Sequence, residues 1–315
     1  MADPLTAWLF AGQGAQQVGM GRDLYEGSDA AREIFETADA VLGYPISQRC
    51  FDGPEQELQE TRTAQPAIYT MSFACLAAAR EQGGPAQAAP ACLAGHSLGE
   101  YTALAAAGAF EFQEGLRLVQ ERGRLMQMAS EQNPGGMAAL IGMEIADVQK
   151  ICGETGAEVC NLNAPGQIVL GGTADAVDSA MALALERGAR RGIRLKVGGA
   201  FHTSLMEPAV EELVQAIEAA SIRDPEVAVI ANSTAQPMLT ADEVRAELAQ
   251  QILKPVLWQA SIEHIAAQGV ASVTEFGPGR VLTGLARRID PALAIRNVSD
   301  LTSARSQATA APSPP

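Results

Sequence analysis

The stretch ACLAGHSLGEYTALAAAG, residues 91–108, decides how this chain is read. A short apolar run ends in Gly95-His96-Ser97-Leu98-Gly99, and a series of small helix formers follows. A strand that passes into a helix through Gly-x-Ser-x-Gly projects its serine from the end of a sheet. Glycine on both sides relieves crowding at a strained corner, and the first amides of the helix are then available to stabilise an oxyanion. The pattern makes Ser97 a candidate nucleophile. A chance match is the alternative in a chain with 30 glycines.

A serine nucleophile needs a base, and the chain has only three histidines. His96 is the neighbour of Ser97, and adjacent side chains at a sharp turn point apart. It is a poor base for Ser97 but a candidate for lining the pocket. His264 lies in SIEHIAAQG, a helix with a polar side, and reads as a surface or satisfied helix histidine. His202 remains. It opens a helix just after a strand and Gly198-Gly199, where a doubly wound sheet places functional loops. No acid stands out as a third member, so a backbone carbonyl is expected to orient the ring.

Working outward, strands and helices alternate. LTAWLF (5–10) reads as a buried strand, 28–42 as a helix, and 63–83 as a helix starting near Pro66. A strand at 91–94 leads to Ser97, with helices at 98–107 and 114–131 beyond. This alternation predicts an α/β fold, a mostly parallel sheet with helices on both faces. Over 136–198 the order becomes β-α-β-β-α-β, the split βαβ or ferredoxin-like arrangement, and the larger pattern then resumes. The expected division is 1–132 with 199–302 as the large subdomain and 133–198 as an insertion. Residues 303–315, SARSQATAAPSPP, are expected to be a disordered tail or linker.

Composition narrows the classes. Hydrophobic residues make up 47% and charged residues 19% of 315, a globular balance. No run of 18 apolar residues predicts a membrane span, and the N-terminal MADPLTAWLF has no basic leader. The five cysteines are scattered and form no CxxC pair, which predicts a reduced, cytoplasmic protein. A net charge of −15 argues against nucleic acid as the main partner. One segment, ERGARRGIRLK (186–196), goes against that balance. It reads equally as a solvated face or as a patch that meets phosphates or an acidic protein.

Two further features bear on chemistry. On the helix EGLRLVQERGRLMQMASEQ, Leu118, Leu125 and Ala129 form one stripe at 100° per residue, with Arg122 in its middle. An arginine there either pairs with a buried structural acid, snorkels to the edge, or clamps the carboxylate of a substrate. The loop GQGAQQVGMG (12–21) fails as a dinucleotide fingerprint, because Gln17 stands where the third glycine belongs. The better reading is a backbone that approaches the serine site, with Gln13 offering an amide donor.

Eight segments in order complete the picture: FAGQGAQQVGMG, TAQPAIYTMSFA, GHSLGEYTALAAAG, VQERGRLMQ, NLNAPGQIVLGG, AFHTSLMEPA, KPVLWQASIEHI and EFGPGRVLTGL. Together they resemble the malonyl-CoA:acyl carrier protein transacylases, including the stand-alone acyltransferases of polyketide assembly lines, over about residues 5–300. The resemblance implies an α/β-hydrolase-like large subdomain with a ferredoxin-like insertion. It implies that malonyl-CoA and a holo acyl carrier protein are the substrates, in fatty acid or polyketide synthesis, with no metal or redox cofactor. It makes Ser97 the acylated residue, His202 its base, the Leu98 amide and the Gln13 loop the oxyanion hole, and Arg122 the holder of the malonyl carboxylate. Phe201 in AFHT, with Leu98, matches relatives that prefer malonyl over methylmalonyl. Three positions depart from the family pattern. Ala11 and Ala15 replace a common proline and serine, and Leu257 replaces a polar residue before Trp258. Leucine leaves only its carbonyl to orient His202. An acyl hydrolase acting on carrier proteins and a non-catalytic docking domain are the rival classes. Arg122 argues against the first, and Ser97 with His202 against the second. A monomer is expected, since the two subdomains can cover each other.

Overall fold

The computed structural model describes residues 5–306. The first half contains β1 (Thr6–Phe10), α1 (Arg22–Gly27), α2 (Asp29–Leu42), α3 (Ile46–Asp52), α4 (Glu55–Gln59), α5 (Thr61–Glu81), β2 (Cys92–Gly95), α6 (Leu98–Ala106) and α7 (Phe112–Gln132). Next come β3 (Gly136–Ile141), α8 (Ile145–Thr155), β4 (Glu158–Ala164), β5 (Gln167–Gly172), α9 (Ala174–Glu186) and β6 (Arg191–Arg194). A 3-10 turn (Ser204–Ala209) leads into α10 (Val210–Ala219), β7 (Val229–Ile230), β8 (Pro237–Met238), α11 (Ala241–Gln251) and α12 (Trp258–Ala267). The chain ends through β9 (Ser272–Phe276), α13 (Val281–Ile289), β10 (Ala294–Val298) and α14 (Leu301–Arg305).

Two sheets result. The first has the order β10-β9-β1-β2-β7-β8, parallel except for β8, which runs antiparallel to β7. Strand period two sorts its side chains. Trp8 and Phe10 of β1 join a core with Phe35 of α2, Tyr69 of α5 and Val119 of α7. Ala7 and Leu9 face the opposite way, onto Ile262 of α12 and Leu282 of α13. Both faces are therefore covered, as a parallel sheet requires.

The second sheet is antiparallel, with the order β4-β5-β3-β6. That is the ferredoxin-like order, formed by the β-α-β-β-α-β run. Ala138 and Leu140 of β3 pack with Val148 of α8 and Val177 of α9. Met137 and Ala139 point to the other face and join the main core. The outer edge of β4 is closed by the main chain of Val256. Its amide donates to the Cys160 carbonyl at 2.8 Å, and its carbonyl accepts from Leu162 at 2.9 Å.

The structure corrects several local expectations. The helix expected to start near Pro66 begins at Thr61, and Pro66 lies inside it. The additional turn places the buried Thr61 hydroxyl against Gln13. The stretch read as a strand around 226–234 keeps only Val229–Ile230, because the Asn232 amide goes to a buried carboxylate instead of a neighbouring strand. The strand expected from 193 is Arg191–Arg194. The helices α1, α3 and α4 were not foreseen. The tail expected from 303 starts in α14, where Asp300 caps the helix, Ser303 completes a capping box and Ala304 is buried. Residues 307–315 of that expected tail lie outside the described residues. Among the described residues, no helix is long and apolar enough to cross a membrane.

Close packing holds the β2–α6 corner. A Cβ on Gly99 would lie 2.2 Å from the Phe10 carbonyl oxygen and 3.0 Å from that of Ala11. Both are backbone atoms that cannot swing away. Gly99→Ala should therefore lower unfolding free energy by roughly 1–3 kcal/mol in urea titration. An unchanged midpoint would show that the helix can slide off β1 without cost.

Candidate active site

Ser97 stands between β2 and α6 with φ 52° and ψ −105°. A non-glycine residue in this region is strained and is held there by its surroundings. Its amide donates to Asn232 Oδ1 at 2.7 Å, and its carbonyl accepts from Gln251 Nε2 at 2.8 Å. His202 has φ 61° and is likewise left-handed. The two strained residues face each other, with Ser97 Oγ 2.7 Å from His202 Nε2.

The tautomer follows from the other side of the ring. His202 Nδ1 lies 2.9 Å from the Gln251 carbonyl and 3.0 Å from that of Lys254. Carbonyls only accept, so Nδ1 carries the proton and Nε2 presents a lone pair to the serine hydroxyl. A backbone carbonyl does orient the ring, but not that of Leu257, whose oxygen accepts from Ser261. Burial, with the Arg122 charge acting in the same direction, lowers the His202 pKa to about 3. The imidazole is thus neutral at physiological pH and ready to accept a proton.

Arg122 is buried, at 1% exposure, and among the described residues no carboxylate touches it. Nη1 donates to Gln65 Oε1 at 2.7 Å, and Nη2 to Gln251 Oε1 at 2.8 Å and to Ser97 Oγ at 3.1 Å. The guanidinium also lies 5.4 Å from the centre of the Tyr101 ring, and its Nε has no partner. Burial lowers its pKa, while Tyr101 and Glu100 act the other way. A guanidinium nevertheless keeps its charge in proteins. Of the readings left open by the sequence, a structural acid in direct contact is absent among the described residues, and the buried guanidinium does not snorkel to the edge.

A cavity opens over Ser97, lined by Gln13, His96, Met126, Phe201 and His202 among others. Arg122 is not part of that lining and reaches it only through the serine hydroxyl. Phe201 is 6% exposed and closes one wall. The first loop does approach the elbow, since a Cβ on Gly12 would lie 2.4 Å from the His96 carbonyl oxygen. The Gln13 side chain donates to Thr61 Oγ1 at 3.2 Å, which leaves its second N–H and its main-chain amide as donors for a ligand. The amides of Ser97, Gly99 and Glu100 are taken by Asn232, His96 and Ser97, so Leu98 supplies the available first-turn donor.

His96 lines the cavity as expected, with Nε2 2.8 Å from Asn163 Oδ1 and its ring against Trp258. Burial lowers its pKa. His264 sits half-buried on α12. In the basic segment, Arg187 is paired with Glu154 and Arg194 with Asp178, while Arg190, Arg191 and Lys196 are exposed. Sequence reasoning missed Gln65, Glu100, Asn232 and Gln251, which surround Ser97 and Arg122. Glu100 carried a signal, as the single charged residue of the apolar helix LGEYTALAA. Burial pushes its pKa well up and Glu247 adds to this, while the Asn232 and Gln251 donors and Arg122 pull it back.

Residues 7–304 match the acyl transferase domain family. The chain is 42% identical over 299 residues to the malonyl CoA-acyl carrier protein transacylase of Bacillus subtilis (strain 168), covering 93% of each protein. Among solved structures, the acyl-carrier-protein-S-malonyltransferase of Bartonella henselae superposes with a TM-score of 0.91 at 38% identity, over 95% of this chain and 97% of that one. A malonyl-transacylase solved in complex with a type II polyketide synthase acyl-carrier protein gives a TM-score of 0.91 at 37% identity, over 95% and 97%.

The lowered His202 pKa sets a pH dependence. An imidazole titrating near 6.5 would lose about three quarters of its base form by about pH 6. Here the base form should persist, so sulfonylation of Ser97 by an arylsulfonyl fluoride should keep its rate from about pH 8 to about pH 6. A decline centred on the ordinary imidazole value would show that the ring is not shielded as described.

Proposed function

The chain belongs to the acyl transferase domain family, and on that premise we propose that it moves a malonyl group from malonyl-CoA to the phosphopantetheine thiol of an acyl carrier protein through an ester on Ser97. The observation that carries this is Arg122, a buried cation held by neutral carboxamides and donating to the hydroxyl that His202 also holds. A guanidinium so placed is suited to an acyl chain ending in a carboxylate.

In the first half-reaction Ser97 Oγ bonds to the thioester carbonyl carbon while His202 Nε2 takes its proton. The main-chain amide of Leu98, with a donor from Gln13, stabilises the tetrahedral oxyanion, an effect of about 2.7–4 kcal/mol per donor in comparable acyl transfers. The carbon–sulfur bond then breaks, and His202 returns the proton to the departing CoA thiolate. The carrier thiol repeats the sequence on the ester and regenerates Ser97. The kinetics are expected to be ping-pong. Phe201 fills the room that an α-methyl would need and so favours malonyl over methylmalonyl.

Residues 133–198 are proposed to act as an inserted subdomain that presents exposed Arg190 and Arg191 to the acidic carrier. Closure of the β4 edge by Val256 supports action as a monomer. The five cysteines are buried and unpaired, in keeping with a cytoplasmic setting.

Mass spectrometry of the protein mixed with malonyl-CoA should reveal one malonyl ester, absent in Ser97→Ala. Arg122→Ala should lose malonyl labelling by roughly 10–150-fold, the equivalent of a charged hydrogen-bond pair, with acetyl labelling retained. Equal loss of both labels would remove Arg122 as the selector. Charge reversal at Arg190 and Arg191 should raise KM for the carrier several-fold and leave ester formation from malonyl-CoA unchanged. An unaltered carrier KM would move the docking surface elsewhere. Release of malonate to water faster than transfer to carrier would favour the hydrolase reading.

A further inference from the structure

Glu100 lies within the first turn of α6, fully buried, and the transfer steps above give it no task. N–H donors occupy both of its oxygens. Oε1 accepts from the Asn232 main-chain amide at 2.7 Å and from its Nδ2 at 3.1 Å, and Oε2 accepts from Gln251 Nε2 at 2.6 Å. Accepting at both oxygens is the pattern of a carboxylate.

Each of these partners in turn holds Ser97. Asn232 Oδ1 takes the serine amide, and Gln251 Nε2 gives to the serine carbonyl. Gln251 reaches further. Its Oε1 accepts from Arg122 Nη2 at 2.8 Å, and its main-chain carbonyl accepts from His202 Nδ1 at 2.9 Å. A carboxamide has its acceptor on one atom and its donors on the other. By drawing Nε2 towards itself, Glu100 turns Oε1 to the guanidinium.

We propose that Glu100 is a positioning residue that, through Asn232 and Gln251, sets both the strained main chain of Ser97 and the direction of Arg122. It therefore governs the acylation rate and the preference for a donor ending in a carboxylate. The selectivity part rests on the malonyl-transfer reading above. The competing account is a glutamate that only stabilises the fold.

Glu100→Gln in the full chain separates the two. The substitution keeps the shape but brings an NH2 to a place where only donors point. Facing Gln251, that group turns the partner amide round and sets a second NH2 against Arg122. The active fraction is taken from stoichiometric Ser97 labelling and folding from the thermal midpoint. Per labelled serine, kcat with malonyl-CoA should fall about tenfold or more, and the malonyl-to-acetyl ratio of kcat/KM should fall by a similar factor. Asn232→Ser cuts the arm to the serine amide, together with the Nδ2 bonds to the Gly95 carbonyl and to Glu100, and leaves the Gln251 arm in place. It should lower kcat for both donors and leave their ratio unchanged. A Glu100→Gln protein with wild-type kcat per labelled serine and wild-type ratio overturns the proposal, whatever its thermal midpoint. Should that variant not fold, Glu100→Asp replaces it with the same readouts, its carboxylate one methylene short of both amides. Acetyl but no malonyl labelling of the wild-type protein would overturn only the malonyl reading, since acetyl kcat still reads the Glu100 effect. Absence of both labels overturns the two together.

Discussion

A guanidinium enclosed by neutral groups is the constraint around which this site is built. Taking one charge out of water costs several kcal/mol even after the surroundings relax. Arg122 meets that cost with two carboxamide oxygens, a hydroxyl and an aromatic face, and without any carboxylate in contact. The nearest acid in this network, Glu100, reaches the guanidinium only through the Gln251 carboxamide, so the charge directly behind Ser97 has no anion in contact among the described residues. Burial, with the same cation acting in the same direction, keeps the His202 ring neutral.

How much of this could be read from the amino acids alone varies by element. The two sheets were legible because their strands are apolar, short and separated by helices of clear period. The ferredoxin-like order needed only the sequence of elements. Ser97 was legible from its glycines, His202 by elimination among three histidines, and Arg122 from its place on an apolar stripe. Helices α1, α3 and α4 were hidden, since they are short and two of them follow prolines at their caps. Gln65, Asn232 and Gln251 were hidden for another reason. Uncharged amides on separate elements have no periodicity to betray them, and they acquire a role only when the fold brings α5, α11 and the segment after β7 together. The carbonyls that orient His202 leave no trace in side-chain identity at all.

The seam between the insertion and the large sheet has a consequence for protein engineering. Val256 is joined to β4 through both its amide and its carbonyl, and it follows closely on Gln251 and Lys254, whose oxygens steady the His202 ring. Register at this joint thus reaches the imidazole through a few peptide units. A chimera that grafts the second sheet of one relative onto the body of another imports a foreign strand edge at this joint. To keep the His202 ring in register, the graft must include residues 251–257 along with the sheet.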